Sequence, residues 1–131
     1  MHDLIFRIFD KKNKKMIDNC GLVDIDSTFS VDEGGYIGFS INGYEIHKSD
    51  MVINLYTGFN DMKGKMIYEG DILQTLTLIG VVKWDDYFGC WRVVDLDKVF
   101  NPALTYSRAK ESNIIGNIFE NPELLGGNDN V

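Results

Sequence analysis

Turn-forming residues divide the stretch from Asn54 to Leu76 into short pieces, and this feature restricts the fold more than any other. Glycines end two turn signals, Thr57-Gly58 and Lys63-Gly64, and a third turn is predicted at Glu69-Gly70-Asp71. Glycine adopts positive φ at no steric cost, and aspartate accepts hydrogen bonds from nearby backbone N–H groups. The stretch therefore predicts a strand, a glycine turn, a short apolar segment and a second tight turn that begins a new strand. The residues given structural turn roles are Gly58, Gly64, Glu69, Gly70 and Asp71.

Hairpins are predicted before this stretch. The β-forming run Leu4–Phe9 is followed by a lysine-rich turn and by a return strand from Met16. Asn42-Gly43 is the strongest signal for a two-residue hairpin turn, because both central positions need positive φ. The predicted cross-strand pairs are Ile41–Tyr44, Ser40–Glu45, Phe39–Ile46 and Gly38–His47. One apolar face then holds Ile37, Phe39, Ile41, Tyr44 and Ile46, and His47 lies on the polar face.

The chain after Leu76 predicts more strands and little helix. From Ile72 to Val82 the chain is mostly apolar, with a bend or bulge predicted at Gly80, and Val81–Trp84 and Cys90–Val94 form a predicted hairpin. Asn101 is the predicted N-cap of a helix, with Pro102 at its first position and one or two turns in Ala103–Glu111. A strand over Ile114–Phe119 and a capped turn over Asn121–Gly126 follow. Together with the hairpins, these elements predict a mainly β fold. We expect an N-terminal β-hairpin region, residues 1–54, packed on a C-terminal SH3-like β-barrel, residues 55–125. A flexible tail, residues 126–131, follows.

The formal net charge of −7 repels phosphate backbones at long range. Nucleic-acid binding therefore requires a segregated basic patch. The densest positive charge is the turn containing Lys11, Lys12, Lys14 and Lys15, which holds 4 of the 13 Lys and Arg residues. One interpretation is a solvated turn that keeps the end of a sheet soluble. The alternative is a nucleic-acid contact, which the absence of an interleaved aromatic residue disfavours.

The sequence predicts no catalytic residues, no metal site and no cofactor. Cys20 and Cys90 are not paired with His2 or His47 at the spacing of a zinc finger, and no triad motif contains them. Asp24 and Asp26 would share a strand face, but two carboxylates supply too few oxygen ligands for calcium. The carboxylate pairs are Asp85-Asp86, Glu69/Asp71 and Asp95/Asp97. Glu69 and Asp71 are interpreted as caps of backbone N–H groups, and Asp85-Asp86 is interpreted as a turn former. We expect a protein that is not an enzyme, and a hydrolase using Cys90 and a histidine is the least favoured alternative.

Four aromatic residues crowd one hairpin: Trp84, Tyr87, Phe88 and Trp91. In an SH3-like barrel such residues can line a groove for a peptide or a stacked base, so they are the candidate partner-binding residues. The alternative places at least one tryptophan in the barrel core. The sequence does not fix the hairpin register, and a slip of one residue is expected to exchange the tryptophan that faces the core.

Several motifs resemble those of the YopX family of small phage and prophage proteins. They are Phe6-Arg7-Ile8-Phe9-Asp10 with the following lysines, Tyr56-Thr57-Gly58-Phe59 through Lys63-Gly64-Lys65, Ile67-Tyr68-Glu69-Gly70-Asp71-Ile72, and the run from Ile115 to Leu125. They occur in family order, with Phe9 where the family often has tryptophan and Phe119 where it often has tyrosine. The resemblance implies a β-rich fold with an SH3-like part, self-association and a role inside an infected bacterium, and it implies no activity.

From these observations we expect a non-enzymatic phage accessory protein that binds a host or phage protein and forms a homo-oligomer. The N-terminus is too charged for a secretory signal, and no apolar run reaches the length of a membrane span. We therefore expect the protein in the bacterial cytoplasm, away from the membrane and with both cysteines reduced.

Overall fold

The computed structural model describes residues 5–21, 27–31, 37–41, 44–96 and 100–125. The fold is mainly β, as the sequence predicts, and within these ranges every pair of hydrogen-bonded strands is antiparallel. The strands are β1 (Ile5–Asp10), β2 (Lys15–Gly21), β3 (Ser27–Val31), β4 (Ile37–Ile41), β5 (Tyr44–His47), β6 (Met51–Asn60), β7 (Met66–Tyr68), β8 (Asp71–Gln74), β9 (Ile79–Asp85), β10 (Cys90–Asp95) and β11 (Asn113–Asn117). A short helix, α1 (Tyr106–Lys110), and 3-10 turns at Lys48–Asp50 and Pro122–Leu125 complete the described elements.

The chain divides into two compact units, residues 1–55 and 56–131. In the first unit, β1 pairs with β2 on one side and with the first half of β6 on the other. A predicted hairpin is thereby confirmed, with its turn at residues 11–14. The buried residues of this unit's apolar cluster are Phe6, Ile8, Cys20 and Ile46.

The β4–β5 hairpin has the predicted register, from Ile41 opposite Tyr44 to Gly38 opposite His47. Ile46 is buried and His47 is exposed, as the predicted faces require. The turn Asn42-Gly43 and the side chains of the other residues of the predicted apolar face lie outside the described residues, as do Asp24, Asp26 and the tail. β3 pairs with β4, so this sheet has three strands in the order β3-β4-β5.

One predicted turn is replaced by strand. β6 continues through Thr57-Gly58 to Asn60, although Gly58 has a φ of +89°. The Thr57 hydroxyl donates to the carbonyl of Ile67 at 2.8 Å and accepts from the Phe59 N–H at 3.1 Å. These side-chain bonds hold the strand where its pairing with β7 is irregular, so the chain reverses only after Asn60.

In the second unit, four strands form one sheet in the order β10-β9-β8-β11. Its apolar core contains Ile67, Leu73, Leu78, Val82, Val93, Leu104 and Ala109, and Phe59, Trp91 and Ile114 pack against it. Directly opposed residues of neighbouring strands share a sheet face. Val82 and Val93 lie opposite each other, and their burial brings both β9 and β10 onto this core.

The apolar segment Ile72–Val82 is divided between two strands, β8 and β9. The chain reverses between β8 and β9, where the Thr75 hydroxyl accepts from the N–H groups of Thr77 and Leu78 at 3.2 and 3.1 Å. The backbone N–H of Thr75 also donates to the carbonyl of Leu78 at 2.9 Å. Gly80, predicted as a bend, lies inside the regular strand β9.

The predicted start of the helix is also wrong. Residues 102–104 are extended beside β10. The Val93 N–H donates to the carbonyl of Pro102 at 2.9 Å, and the Leu104 N–H donates to the carbonyl of Trp91 at 2.8 Å. The helix begins later because Thr105 provides its N-cap, its hydroxyl accepting from the Arg108 N–H at 3.2 Å. Burial of Pro102 and Leu104 fixes the extended segment and outweighs the local Asn-Pro signal. Among the described residues, no helix is long and apolar enough to cross a membrane.

Candidate functional site

The register of the β9–β10 hairpin places its two tryptophans opposite each other. Trp84 pairs with Trp91, and their ring centroids lie 5.1 Å apart in an edge-on arrangement. Directly opposed residues share a sheet face, so the two tryptophans lie on the same face of the hairpin. Trp91 lies nearer the core and packs against it, whereas Trp84, one position from the turn, is 45% exposed.

The turn between β9 and β10 is fixed by Asp85. Its Oδ1 atom accepts from the N–H groups of Tyr87 and Phe88 at 2.9 and 3.2 Å, and its carbonyl accepts from the N–H of Gly89 at 2.8 Å. Gly89 has a φ of +64°, a conformation that favours glycine. Asp85 therefore acts as the turn former that the sequence predicts.

Arg92 holds the other side of the Asp85 carboxylate. Its Nε atom pairs with Asp85 Oδ2, its Nη1 atom donates to the carbonyl of Asn101 at 3.0 Å, and its guanidinium lies 5.0 Å from the centroid of the Phe88 ring. The hydrogen bond from Arg92, followed by that from the Phe88 N–H, lowers the pKa of Asp85 below its ordinary value. The pair favours the ionised carboxylate, which keeps the turn closed.

We expect Arg92→Gln to raise the pKa of Asp85, because the largest cause of its depression is removed. A folded-state pKa below the unfolded one contributes stability above the unfolded pKa, and this contribution is lost as pH falls through the folded pKa. The acid-side loss of stability should therefore be smaller in the variant. NMR titration of the Asp85 carboxyl carbon measures the pKa. Lys83→Gln removes a cation directly opposite Arg92 and is the control, and an equal rise in both variants would contradict the assignment.

The exposed rings of the hairpin form a surface that we call the aromatic tip: Trp84, Tyr87 and Phe88. Tyr87 is 88% exposed and Phe88 is 67% exposed, and their rings meet edge-on with centroids 4.8 Å apart. The predicted partner-binding set therefore divides, because Trp91 contributes to the core and the other three face solvent.

The lysine turn lies in the first unit at the end of the β1–β2 hairpin. Lys11, Lys12, Lys14 and Lys15 are all exposed. The Asp10 carboxylate accepts from the Lys12 N–H at 3.0 Å, and Lys14 has a φ of +53°. Phe9, the nearest aromatic residue in sequence, is buried, so it does not join the exposed lysines as a stacking surface.

Gly64, Gly70 and Asp71, which were singled out in the sequence, have the backbone angles and hydrogen bonds of turn residues. Gly64 and Gly70 have φ values of +82° and +89°. Asp71 is buried, and its carboxylate accepts from the Tyr68 N–H at 2.8 Å across the Glu69-Gly70 turn. Asp61, a fully buried carboxylate, was not singled out in the sequence, because the strand that it contacts lies more than fifty residues later in the chain.

A second set of exposed side chains was also missed. Phe100 and Tyr106 are 53% and 70% exposed, and each ring lies beside a cation, Arg108 and Lys110 respectively. The spacing of Tyr106 and Lys110, four residues apart, was the available signal, because such residues meet on a helix. The misplaced helix start obscured it.

Each of the two cysteines is at least partly buried. Cys20 is buried, with its sulfur 3.6 Å from the carbonyl oxygen of Ile17, and Cys90 is partly buried. Within the described ranges, no group of three or more His, Cys, Asp and Glu residues is placed to hold a metal ion.

Comparison with known proteins places the chain in a family. The family model described as YopX protein matches residues 5–126. The crystal structure of protein EF1440 from Enterococcus faecalis has a TM-score of 0.61 and 25% identity, covering 93% of this chain and 97% of that one. The crystal structure of protein yopX from Bacillus subtilis has a TM-score of 0.60 and 18% identity, covering 96% and 98%. No curated protein matches the sequence. The family model spans nearly the whole chain, and the chain belongs to the YopX family.

Proposed function

We propose that the chain is a non-enzymatic accessory protein of a phage or prophage that binds a host or phage protein through the aromatic tip. The observation that carries the proposal is the exposure of Tyr87 and Phe88 on a turn whose backbone is fixed, with Trp84 exposed in the strand beside it. Large aromatic side chains dominate the free energy of many protein interfaces. Exposing three of them together costs solubility, which a binding role explains.

The fixed backbone of the tip favours affinity. Asp85 accepts from two successive N–H groups of the turn and is itself paired with Arg92. A turn already held in its bound conformation loses little conformational entropy on association. Tyr and Trp have only two side-chain dihedral angles each, so ordering them also costs little.

The same proposal includes three further features: closure of the second unit as an SH3-like barrel, self-association, and residence in the bacterial cytoplasm. The antiparallel order β10-β9-β8-β11 of short strands supports the barrel. Sheet edges that need covering support self-association. In this arrangement the aromatic tip projects from one hairpin of the barrel, where SH3-like proteins carry peptide grooves.

Site-specific photocrosslinking tests the partner. With benzoylphenylalanine at position 87, we expect a discrete crosslinked protein in infected bacteria, and we expect Phe88→Ala to remove most of it. The matched control carries the same crosslinker at Tyr106, an exposed tyrosine outside the tip. Absence of a crosslinked protein at position 87, or the same product from both positions, would contradict the proposal.

A further inference from the structure

We propose that the second unit carries a binding site for single-stranded nucleic acid, which shares only Phe88 with the aromatic tip. The site is a surface that we call the cation–aromatic strip: Phe88 with Arg92, Phe100 with Arg108, and Tyr106 with Lys110. The cation of each pair lies 5.0, 6.0 and 5.7 Å from the ring centroid, within the range of a cation–π contact.

Hydrogen bonds connect the first two pairs through the extended segment beside β10. Arg92 donates to the carbonyl of Asn101, next to Phe100, and forms a β-bridge with Ala103. Arg108 Nε donates to the carbonyl of Ala103 at 3.1 Å. The first and second pairs are thus tied to the same short segment, and α1 carries the third pair directly after it.

The three rings are exposed, and this exposure distinguishes the strip from a structural cluster. Phe88, Phe100 and Tyr106 are 67%, 53% and 70% exposed. The hydrogen bonds of Arg92 and Arg108 are made to backbone or to Asp85, so the cations are oriented before any ligand arrives. A preorganised cation beside an exposed ring binds at a lower entropic cost than a free lysine does.

The repeat of ring and cation matches the chemistry of one class of polymer. A single strand of nucleic acid presents one planar base and one negative charge in each repeat. Bases stack on aromatic side chains with little sequence preference, and cations track the backbone. The lysine turn offers only the charge, because its four exposed lysines have no exposed ring among them.

The chain is acidic overall, so the charge close to the strip decides whether the strip can bind a phosphate backbone. Lys83 is exposed and lies directly opposite Arg92, so Lys83 adds a further cation beside the strip. The Asp85 carboxylate is paired with Arg92 and accepts two backbone N–H groups, so much of its charge is compensated. The net charge of −7 then opposes long-range attraction, and binding is expected to be weak and sensitive to salt.

Fluorescence anisotropy with labelled oligothymidylate of about 20 nucleotides tests the site. We expect binding at about 50 mM salt that weakens markedly at about 200 mM. The double variant Phe100→Ala/Tyr106→Ala should weaken binding by about tenfold or more. Both rings are exposed, and circular dichroism of each variant verifies that the fold is retained.

A charge-matched pair of variants separates the strip from general electrostatics. Arg108→Gln/Lys110→Gln removes two cations from the strip, and Lys11→Gln/Lys12→Gln removes two from the lysine turn. We expect the first to reduce the salt slope by about 1.4 and the second to leave it nearly unchanged.

Four outcomes would overturn the proposal: no binding at low salt, equal loss in the two charge variants, no loss in the ring variant, or displacement of the oligonucleotide by polyglutamate at equal charge concentration. Displacement by polyglutamate would assign the strip to acidic proteins instead of nucleic acid. Tyr87→Ala should leave oligonucleotide binding intact while removing the protein contact of the aromatic tip. The two proposals can therefore fail separately.

Discussion

Gly80→Ala is expected to lower the free energy of unfolding by about 3 kcal/mol, because the added methyl group has no space in the sheet. A Cβ atom at this position would lie 2.6 Å from the carbonyl oxygen of Val94 and 2.7 Å from a methyl carbon of Val93. The first contact is with backbone, which cannot move without separating β9 from β10. Since Gly80 is also paired with Leu73 on β8, the strand has no free side toward which to shift.

Urea denaturation followed by tryptophan fluorescence measures the effect. The control is Gly64→Ala, where no atom lies within 4 Å of the added carbon but φ is +82°. It should cost about 1 kcal/mol, the cost of left-handed backbone alone. A loss at Gly80 no larger than that at Gly64 would show that the sheet accommodates the methyl group. Because the β9–β10 hairpin carries the aromatic tip, the same variant should also reduce crosslinking at position 87.

Gly80 also shows why the sequence predicted the β4–β5 hairpin better than the path of the chain from β8 to β9. Asn42-Gly43 fixed a register because the turn chemistry is local, and the pairs from Ile41–Tyr44 to Gly38–His47 followed from it. The need for glycine at position 80 comes from β10, which lies more than ten residues away. The sequence contains the glycine but not the strand that approaches it, and a bend was the local interpretation.

The candidate site divides in the same way. The aromatic residues of the β9–β10 hairpin were visible as a cluster, but only the register places Trp84 and Trp91 on one face. Phe100 and Arg108 were not connected in the sequence because their contact depends on where the helix begins. Thr105, rather than Asn101, caps that helix, and this choice was decided by burial of Leu104 in the core. Tertiary packing overrode the local signal.

Asp61→Ala should have the largest effect on stability, a loss of about 4 kcal/mol, because it removes a buried carboxylate that accepts hydrogen bonds from three backbone N–H groups. Asp61 is 1% exposed. Its Oδ1 atom accepts from the N–H groups of Lys63 and Lys65, both at 2.9 Å, and its Oδ2 atom accepts from the N–H of Ile114 at 3.1 Å. One carboxylate therefore closes the turn after β6 and attaches it to β11, more than fifty residues later in the chain.

Asn at the same position separates the two functions of the carboxylate. Asp61→Asn keeps one carbonyl oxygen for Lys63 and Lys65 but turns an amide toward the Ile114 N–H, so about half of the loss, about 2 kcal/mol, is expected. Asp86→Ala removes an exposed carboxylate from the β9–β10 turn and should change stability by less than about 0.5 kcal/mol. Hydrogen exchange locates the change: Ile114 should lose protection in Asp61→Asn, whereas Lys63 and Lys65 should lose it only in Asp61→Ala. Equal loss at all three amides in both variants would mean that the carboxylate acts through its charge and not through these separate bonds.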